Sequence, residues 1–309
     1  MYLLALERAA GIAWDYHPDS ATYATISDDI TNNILSNTLM IFNNGYYVLS
    51  SLLGMSVVGI TAMNMVFFSY TNVMIYRVHR DSSHYLPKGK AIWILCLLLL
   101  ICNPYRLHLG TTMLKDSLII MLFVFAVTNR FYGRLALIPV LAIFRTASLL
   151  YFSIFLRRKY IIAGGFFVLL TWLALGDIVT LLILDFNSHE MVFRGFDRVP
   201  TFQQYGLIGA IIRAFVWPIL ALSGGFMFVS PAPVYAIVSL GIFGGLAYMI
   251  LMTGRVRILL SVYAVMMVFG ILVTGFTSYL RYVYPLLVVT PLIAIQIAVA
   301  IGKSKVLKE

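Results

Sequence analysis

The chain has 309 residues, 61% of them hydrophobic and only 11% charged, with a mean hydropathy of +0.93 and a formal net charge of +10. A soluble domain is nearer half apolar and a quarter charged, so this composition excludes an ordinary soluble globular protein and points to an integral membrane protein. Cys96 and Cys102 share one apolar run and the five histidines are scattered, so there is no disulfide framework and no metal-ligand spacing.

The positive charge is distributed as a topology signal, not as a nucleic-acid patch. Basic residues gather in short gaps between apolar runs: Arg77, Arg80, Lys88 and Lys90; Arg130 and Arg134; Arg157, Arg158 and Lys159; Arg255 and Arg257; Lys303, Lys305 and Lys308. Only Asp81 and Glu309 share those gaps. By the positive-inside rule the gaps are cytoplasmic.

In chain order, residues 1–44 form an acidic outer segment, with Trp14-Asp15-Tyr16-His17-Pro18-Asp19-Ser20 and Asp28-Asp29. Met1 to Trp14 is too short to span, and Glu7-Arg8 interrupts the apolar region that a signal peptide needs. The expectation is either a missing preceding transmembrane helix or a short interfacial helix at this position. Val57 to Tyr76 is long enough to cross inward, given that a span takes about 20 apolar residues. Ala91 to Asn103 returns outward and Ser117 to Thr128 inward, both short. Tyr160 to Ile183 runs outward, Val234 to Met252 inward, Ile258 to Thr277 outward and Val283 to Ile301 inward.

Two segments break the parity, and each contains an arginine. Leu135 to Leu156 has basic flanks on both sides, which predicts two half-helices meeting near Arg145. Gly206 to Ser230, with Arg213, Trp217-Pro218 and Gly224-Gly225, predicts an interfacial helix plus a re-entrant hairpin within an outer loop over residues 185–233. The expected fold is therefore all-α. It is a single transmembrane domain over residues 1–309, a polytopic helix bundle with about seven crossings plus re-entrant or interfacial helices and a cytoplasmic C-terminus.

Lys115, Arg145, Arg213, Arg281 and, more shallowly, Arg106 fall in or near lipid. A charge at that depth costs a few kcal/mol or more, on the order of 3 even on lenient scales, so it is rare without a role. Topology places Arg106, Lys115, Arg213 and Arg281 on the outer side, together with the acidic first segment, the stretch Asn103 to Asp116 (NPYRLHLGTTMLKD) and the stretch Phe276 to Pro285 (FTSYLRYVYP). Arg145 is the exception: it approaches from the cytoplasmic side and either reaches a phosphate from below or holds the bundle together. Asp15 or Asp19, Lys115 and Arg281 are expected to line one outward-open cavity. Several cations at one aqueous boundary suit an anionic group such as a lipid phosphate or pyrophosphate.

Each candidate also has a plain structural alternative. Lys115 and Asp116 can neutralise each other, or Asp116 can cap the helix that begins at Ser117. Asp19, between Pro18 and Ser20, suits a turn. Arg145 can pair with carbonyls of its own hairpin. Arg281, beside Tyr279, Tyr282 and Tyr284, suits an interfacial anchor.

The order of these motifs resembles bacterial membrane glycosyltransferases of the GT-C superfamily, and within it Wzy- or EpsG-type polysaccharide polymerases. The resembling elements are the acidic loop Asp15-Tyr-His-Pro-Asp19-Ser-Ala-Thr-Tyr23, the proline-containing outer segment from Pro104 to Lys115-Asp116, Arg145 between two short apolar halves, and Arg281-Tyr-Val-Tyr-Pro285 entering the last helix. The chain departs from that pattern in lacking a helix before the acidic loop. The resemblance implies transfer of a sugar or oligosaccharide from a polyprenyl phosphate or pyrophosphate carrier to a glycan acceptor, at the outer face of a bacterial cytoplasmic membrane. It implies Asp15 or Asp19 as general base. Arg106, Lys115, Arg145, Arg213 and Arg281, with Asp116 orienting them, would meet the phosphate. No cofactor motif is present, and the carboxylates leave a divalent metal open. A transporter or flippase of a lipid-linked or anionic substrate is the alternative, and predicts internal repeats and charges spread through the membrane depth. A non-catalytic membrane subunit is the third reading.

Overall fold

The structure, a computed structural model, describes residues 44–82, 101–128, 131–155, 199–223 and 256–306, apart from 53, 55 and 102, together with a few positions within 94–181 and at 244 and 246. Among the described residues every regular element is helical. The helices are α1 (Gly45–Leu52), α2 (Val57–Ser82), α3 (Pro104–Thr111), α4 (Asp116–Thr128), α5 (Phe131–Phe144), a 3-10 helix (Thr146–Phe155), α6 (Gly206–Leu222), α7 (Val256–Leu272) and α8 (Phe276–Val306).

Three helical stretches are long and apolar enough to cross a membrane: Val57–Asp81, Gln203–Leu222 and Phe276–Ile297. A fourth arises if the bent pair Tyr105–Thr111 and Asp116–Thr128 counts as one broken span. Among the described residues the protein is thus all-helical, with apolar helices of the kind that cross a membrane. The expected crossings at Tyr160 to Ile183 and Val234 to Met252 lie largely outside the described residues, which there are 166, 170, 174–178, 180, 181, 244 and 246.

α8 is the central helix. Of its apolar window 78% is buried, against 28% for α2 and 39% for α6. The latter two present apolar side chains outward at helical spacing, Val66, Tyr70 and Val73 on α2 and Ile208, Ile211, Phe215 and Ile219 on α6. Exposed apolar stripes of that kind suit lipid, which solvates them without the cost water would impose. Around α8 pack α4, α2 and α7, with α6 lying along α7. An aromatic layer ties the 3-10 helix to this core: the Phe123 ring lies 5.0 Å from Tyr151, and Phe269 5.5 Å from Tyr282.

α4 and α8 run in the same direction. Arg281 near the start of α8 meets Asp116 at the start of α4, and further along Gln296 Nε2 donates to Val127 O at 3.3 Å. α6 and α7 are antiparallel, since Arg213 meets Gly270 while Tyr263 OH donates to Phe215 O at 3.1 Å. Gly270 permits that seam: a Cβ there would lie 2.8 Å from Ala214 Cα and 2.9 Å from Arg213 O, both backbone atoms that cannot swing aside.

Two of the breaks have a local cause. The Asn103-Pro104 pair starts α3: Pro104 occupies the first turn, where its missing N–H costs nothing, and Asn103 Oδ1 accepts from Tyr105 N at 2.8 Å. The chain leaves α5 at Phe144, and Arg145 separates it from ten residues of 3-10 helix. Runs of 3-10 helix beyond three or four residues are uncommon. This one is secured from its middle, where Tyr151 OH donates to Tyr282 O at 2.6 Å.

Over Gly206–Leu222 the structure has one continuous helix, apolar and long enough to cross; the remainder of the segment expected to form an interfacial helix plus a re-entrant hairpin, 224–230, lies outside the described residues. The apolar content of this stretch fits either geometry. Arg213, buried on this helix, is satisfied within the protein, as described below. Residues 224–233 lie outside the described set.

Candidate functional site

The bend between α3 and α4 creates the site. The two helices meet at 117°, with Thr112 to Lys115 forming the corner. A corner in apolar surroundings leaves carbonyls without helical donors, and each must be satisfied. Asn64, in the first third of α2, does this: its Nδ2 donates to Thr112 O at 2.7 Å and Leu114 O at 2.9 Å. Its Oδ1 accepts from Tyr46 OH at 2.9 Å. Burial pushes the Tyr46 phenol well above its ordinary value, so it remains a donor. All of Asn64's polar capacity facing this corner is thereby used.

The corner delivers Lys115 and Asp116 to the first turn of α4. Both are buried, Asp116 completely. A carboxylate at a helix N-terminus is favoured by the helix dipole, but that effect is too small alone to hold a charge out of water. Two guanidiniums supply the rest. Arg281, on α8, donates to Asp116 Oδ2 from Nε at 3.1 Å and from Nη2 at 2.9 Å. Arg145, at the joint after α5, places Nη2 2.8 Å from Oδ1. Each oxygen of one carboxylate is thus paired with an arginine from a different element. The Arg145 guanidinium also lies over the Tyr282 ring, 4.6 Å from its centre, a contact that suits a desolvated cation.

Arg106 and Arg213 have other surroundings. Arg106, on α3, donates from Nη2 to the Asn72 side-chain oxygen and to Phe68 O at 3.3 Å, and stacks over the Phe68 ring at 4.6 Å. Gly110, one turn later, lets α3 sit this close to α2, since a Cβ there would meet Phe68 Cβ at 3.2 Å. Arg213 donates to Thr201 O at 2.8 Å, Gly270 O at 3.2 Å and Ile271 O at 3.4 Å, and lies 5.6 Å from the centre of the Trp217 ring. It therefore caps the carbonyl end of α7 and fastens the α6–α7 seam.

Of the residues expected at the site, the structure brings together Asp116, Arg145 and Arg281, and Lys115 is the buried residue that precedes Asp116 in the chain. Asp15 and Asp19 lie outside the described residues. Arg145 differs most from expectation. It was expected to approach apart from the outer cations, yet it shares Asp116 with Arg281. Its partner is a carboxylate, not the carbonyls of its own hairpin. Asp116, expected to orient neighbouring cations or cap a helix, stands at the first residue of α4 and pairs two arginines at once.

Sequence reasoning did not single out Asn64, Asn72 or Tyr151. The two asparagines had a visible signal, as amides inside the apolar run of α2, where a polar side chain needs a partner. Tyr151 had none, because aromatic residues abound in this chain. Among the described residues no group of three or more His, Cys, Asp or Glu is placed to hold a metal ion.

The arrangement can hold an ionised carboxylate in an apolar interior and present two guanidinium groups beside it. That is the chemistry of binding and neutralising an oxyanion, not of proton abstraction, because Asp116 is committed to two permanent cations. A comparison with known protein families, curated proteins and solved structures finds no match.

Proposed function

We propose that the protein is a membrane glycosyltransferase, of polysaccharide-polymerase type, that moves a sugar or oligosaccharide from a polyprenyl phosphate or pyrophosphate carrier to a glycan acceptor. It would do so at the outer face of a bacterial cytoplasmic membrane. The observation that carries the reading is the convergence of Arg145 and Arg281, from separate elements, on one buried carboxylate beside Lys115 at a broken helix. Such a concentration of cations in an apolar bundle suits a reaction whose leaving group is a phosphate. In the proposed topology about seven helices cross the membrane, the C-terminus is cytoplasmic and the α3–α4 corner faces outward.

In this reaction the acceptor hydroxyl oxygen bonds to the anomeric carbon of the donor sugar, and the bond from that carbon to the carrier's phosphate oxygen breaks. Asp15 or Asp19 takes the hydroxyl proton. Arg145, Arg281 and Lys115 meet the negative charge that develops on the departing phosphate, while Asp116 holds the two arginines in position. Arg106 and Arg213 support the fold around this site.

The test is a transfer assay with a polyprenyl-pyrophosphate oligosaccharide, comparing the parent with Asp15→Asn, Asp19→Asn and Arg281→Ala. The expected outcome is glycan product with the parent and at least a tenfold loss in Arg281→Ala and in one of the two aspartate variants, on the order of one charge-assisted contact. Unchanged turnover in all three variants sinks the assignment. Movement of intact carrier across the membrane without a new glycosidic bond would replace it with the flippase reading.

A further inference from the structure

We infer that the 3-10 helix Thr146–Phe155 is a conformational switch beside the ion cluster, with the Tyr151 hydroxyl as its latch. It rests on the proposed function only for what the switch would regulate, which is the placement of Arg145 during transfer. The switch itself stands on geometry.

Nothing local dictates a 3-10 helix of ten residues. The segment TASLLYFSIF has no proline or glycine to bar an α-helix, and Ala147, Leu149 and Leu150 favour one. The change of helix type falls at Arg145. Its own N–H reaches back four residues to Leu141 O at 2.8 Å, whereas Ser148 N reaches back only three, to Arg145 O at 2.8 Å. The local preference is therefore overridden from outside the segment. A 3-10 helix has three residues per turn, so side chains at i, i+3 and i+6 eclipse. Arg145, Ser148 and Tyr151 stand at that spacing and all three are buried. Thr146 and Leu149, next in phase, are exposed.

Each end of the buried row is tied to another helix. Arg145 pairs with Asp116 on α4. Tyr151 OH donates to Tyr282 O on α8 at 2.6 Å, and its oxygen also interacts with the Arg145 guanidinium. The two ties hold together only while the row is straight. An α-helix, at about 3.6 residues per turn, would turn Tyr151 about 120° off the line of Arg145. It would also shorten the ten residues by about 5 Å, since it rises about 1.5 Å per residue against about 2.0 Å. Losing either tie therefore lets the segment relax to the α-helix its residues favour. Release at Tyr151 continues α5 through the joint and draws Arg145 away from Asp116.

The experiment places single nitroxide-labelled cysteines along residues 146–155, except Tyr151, in the full chain in nanodiscs with Cys96 and Cys102 replaced by serine. Oxygen accessibility is read at each position. The proteins are the parent, Tyr151→Phe, Asp116→Asn and a control, Tyr263→Phe, which loses a comparable hydroxyl-to-carbonyl bond at the α6–α7 seam. In the parent, accessibility is expected to repeat every three residues, with 146, 149 and 152 in phase. In Tyr151→Phe the repeat lengthens to about 3.6. Position 153 then joins the phase of 146 and position 152 leaves it, so the accessibility at 153 relative to 152 rises. Asp116→Asn shifts the repeat the same way by releasing the other tie, and Tyr263→Phe leaves it at three. A repeat of three retained in Tyr151→Phe overturns the inference; if that variant does not fold, the same result in Asp116→Asn does so. A repeat near 3.6 in the parent, or an equal shift in Tyr263→Phe, also overturns it. Sugar transfer is measured on the same proteins. A shifted repeat with no transfer by the parent keeps the switch and removes the transferase reading. Transfer with an unshifted repeat does the reverse.

Discussion

Arg281 grips Asp116 through two nitrogens, Nε and Nη2, across 165 residues of chain. The side-on geometry puts both bonds on Oδ2 and leaves Oδ1 for Arg145. The last long helix is thereby locked to the α3–α4 corner at the same end of the bundle.

Removing the shared carboxylate leaves two buried cations uncompensated. Asp116→Ala is expected to destabilise the protein by about 3–5 kcal/mol, the range for breaking a buried ion pair from one side. Arg281→Ala should cost less, because Arg145 still neutralises the carboxylate. A double-mutant cycle on Asp116 and Arg281, followed by unfolding in micelles, should show strong non-additivity. Additive effects would mean that the two groups do not interact in solution.

Asn64 holds the corner open at its 117° bend. Asn64→Leu, similar in size, orphans the Thr112 and Leu114 carbonyls and should cost about 1–3 kcal/mol for each left unsatisfied. Tyr46→Phe removes only one donor and should cost about 1 kcal/mol. An Asn64→Leu variant as stable as the parent would show that the corner needs no such support.

Arg213 and Gly270 belong to the α6–α7 seam. Gly270→Ala forces a Cβ against the Ala214 backbone and should cost about 1–3 kcal/mol by overpacking. Arg213→Ala should lower stability while leaving pyrophosphate affinity in the folded protein unchanged. A fall in affinity would move Arg213 into the anion site.

Orientation is testable separately. With α4 and α8 parallel, the Asp116 end and the C-terminal end of α8 lie on opposite sides if α8 crosses; at about 1.5 Å per residue its 31 residues are ample for that. A fluorescent protein fused at the C-terminus should be bright in the cytoplasm, and alkaline phosphatase at the same point inactive. The reverse pattern would put the arginine cluster on the cytoplasmic side and remove the outer-face site.

What was legible in the sequence was local. The apolar content, the helix start at Asn103-Pro104 and the interruption at Arg145 follow from hydropathy, caps and flanking charge, which act over a few residues. The cations were visible because each is anomalous in its own segment. Their division of labour was not. Arg106, Arg145 and Arg213 look alike in the sequence, yet one stacks on Phe68, one pairs with Asp116 and one caps α7.

The sequence by itself therefore determined that this is a helical membrane-type protein with charges that need partners. Only the tertiary structure decided that residues 116, 145 and 281 share one ion cluster, and that Arg213 fastens α6 to α7. The reason is physical. Burying a charge in an apolar interior creates a demand that sequence reveals through its cost. The partner that meets the demand is chosen by helix packing between segments far apart in the chain, and no local pattern encodes it.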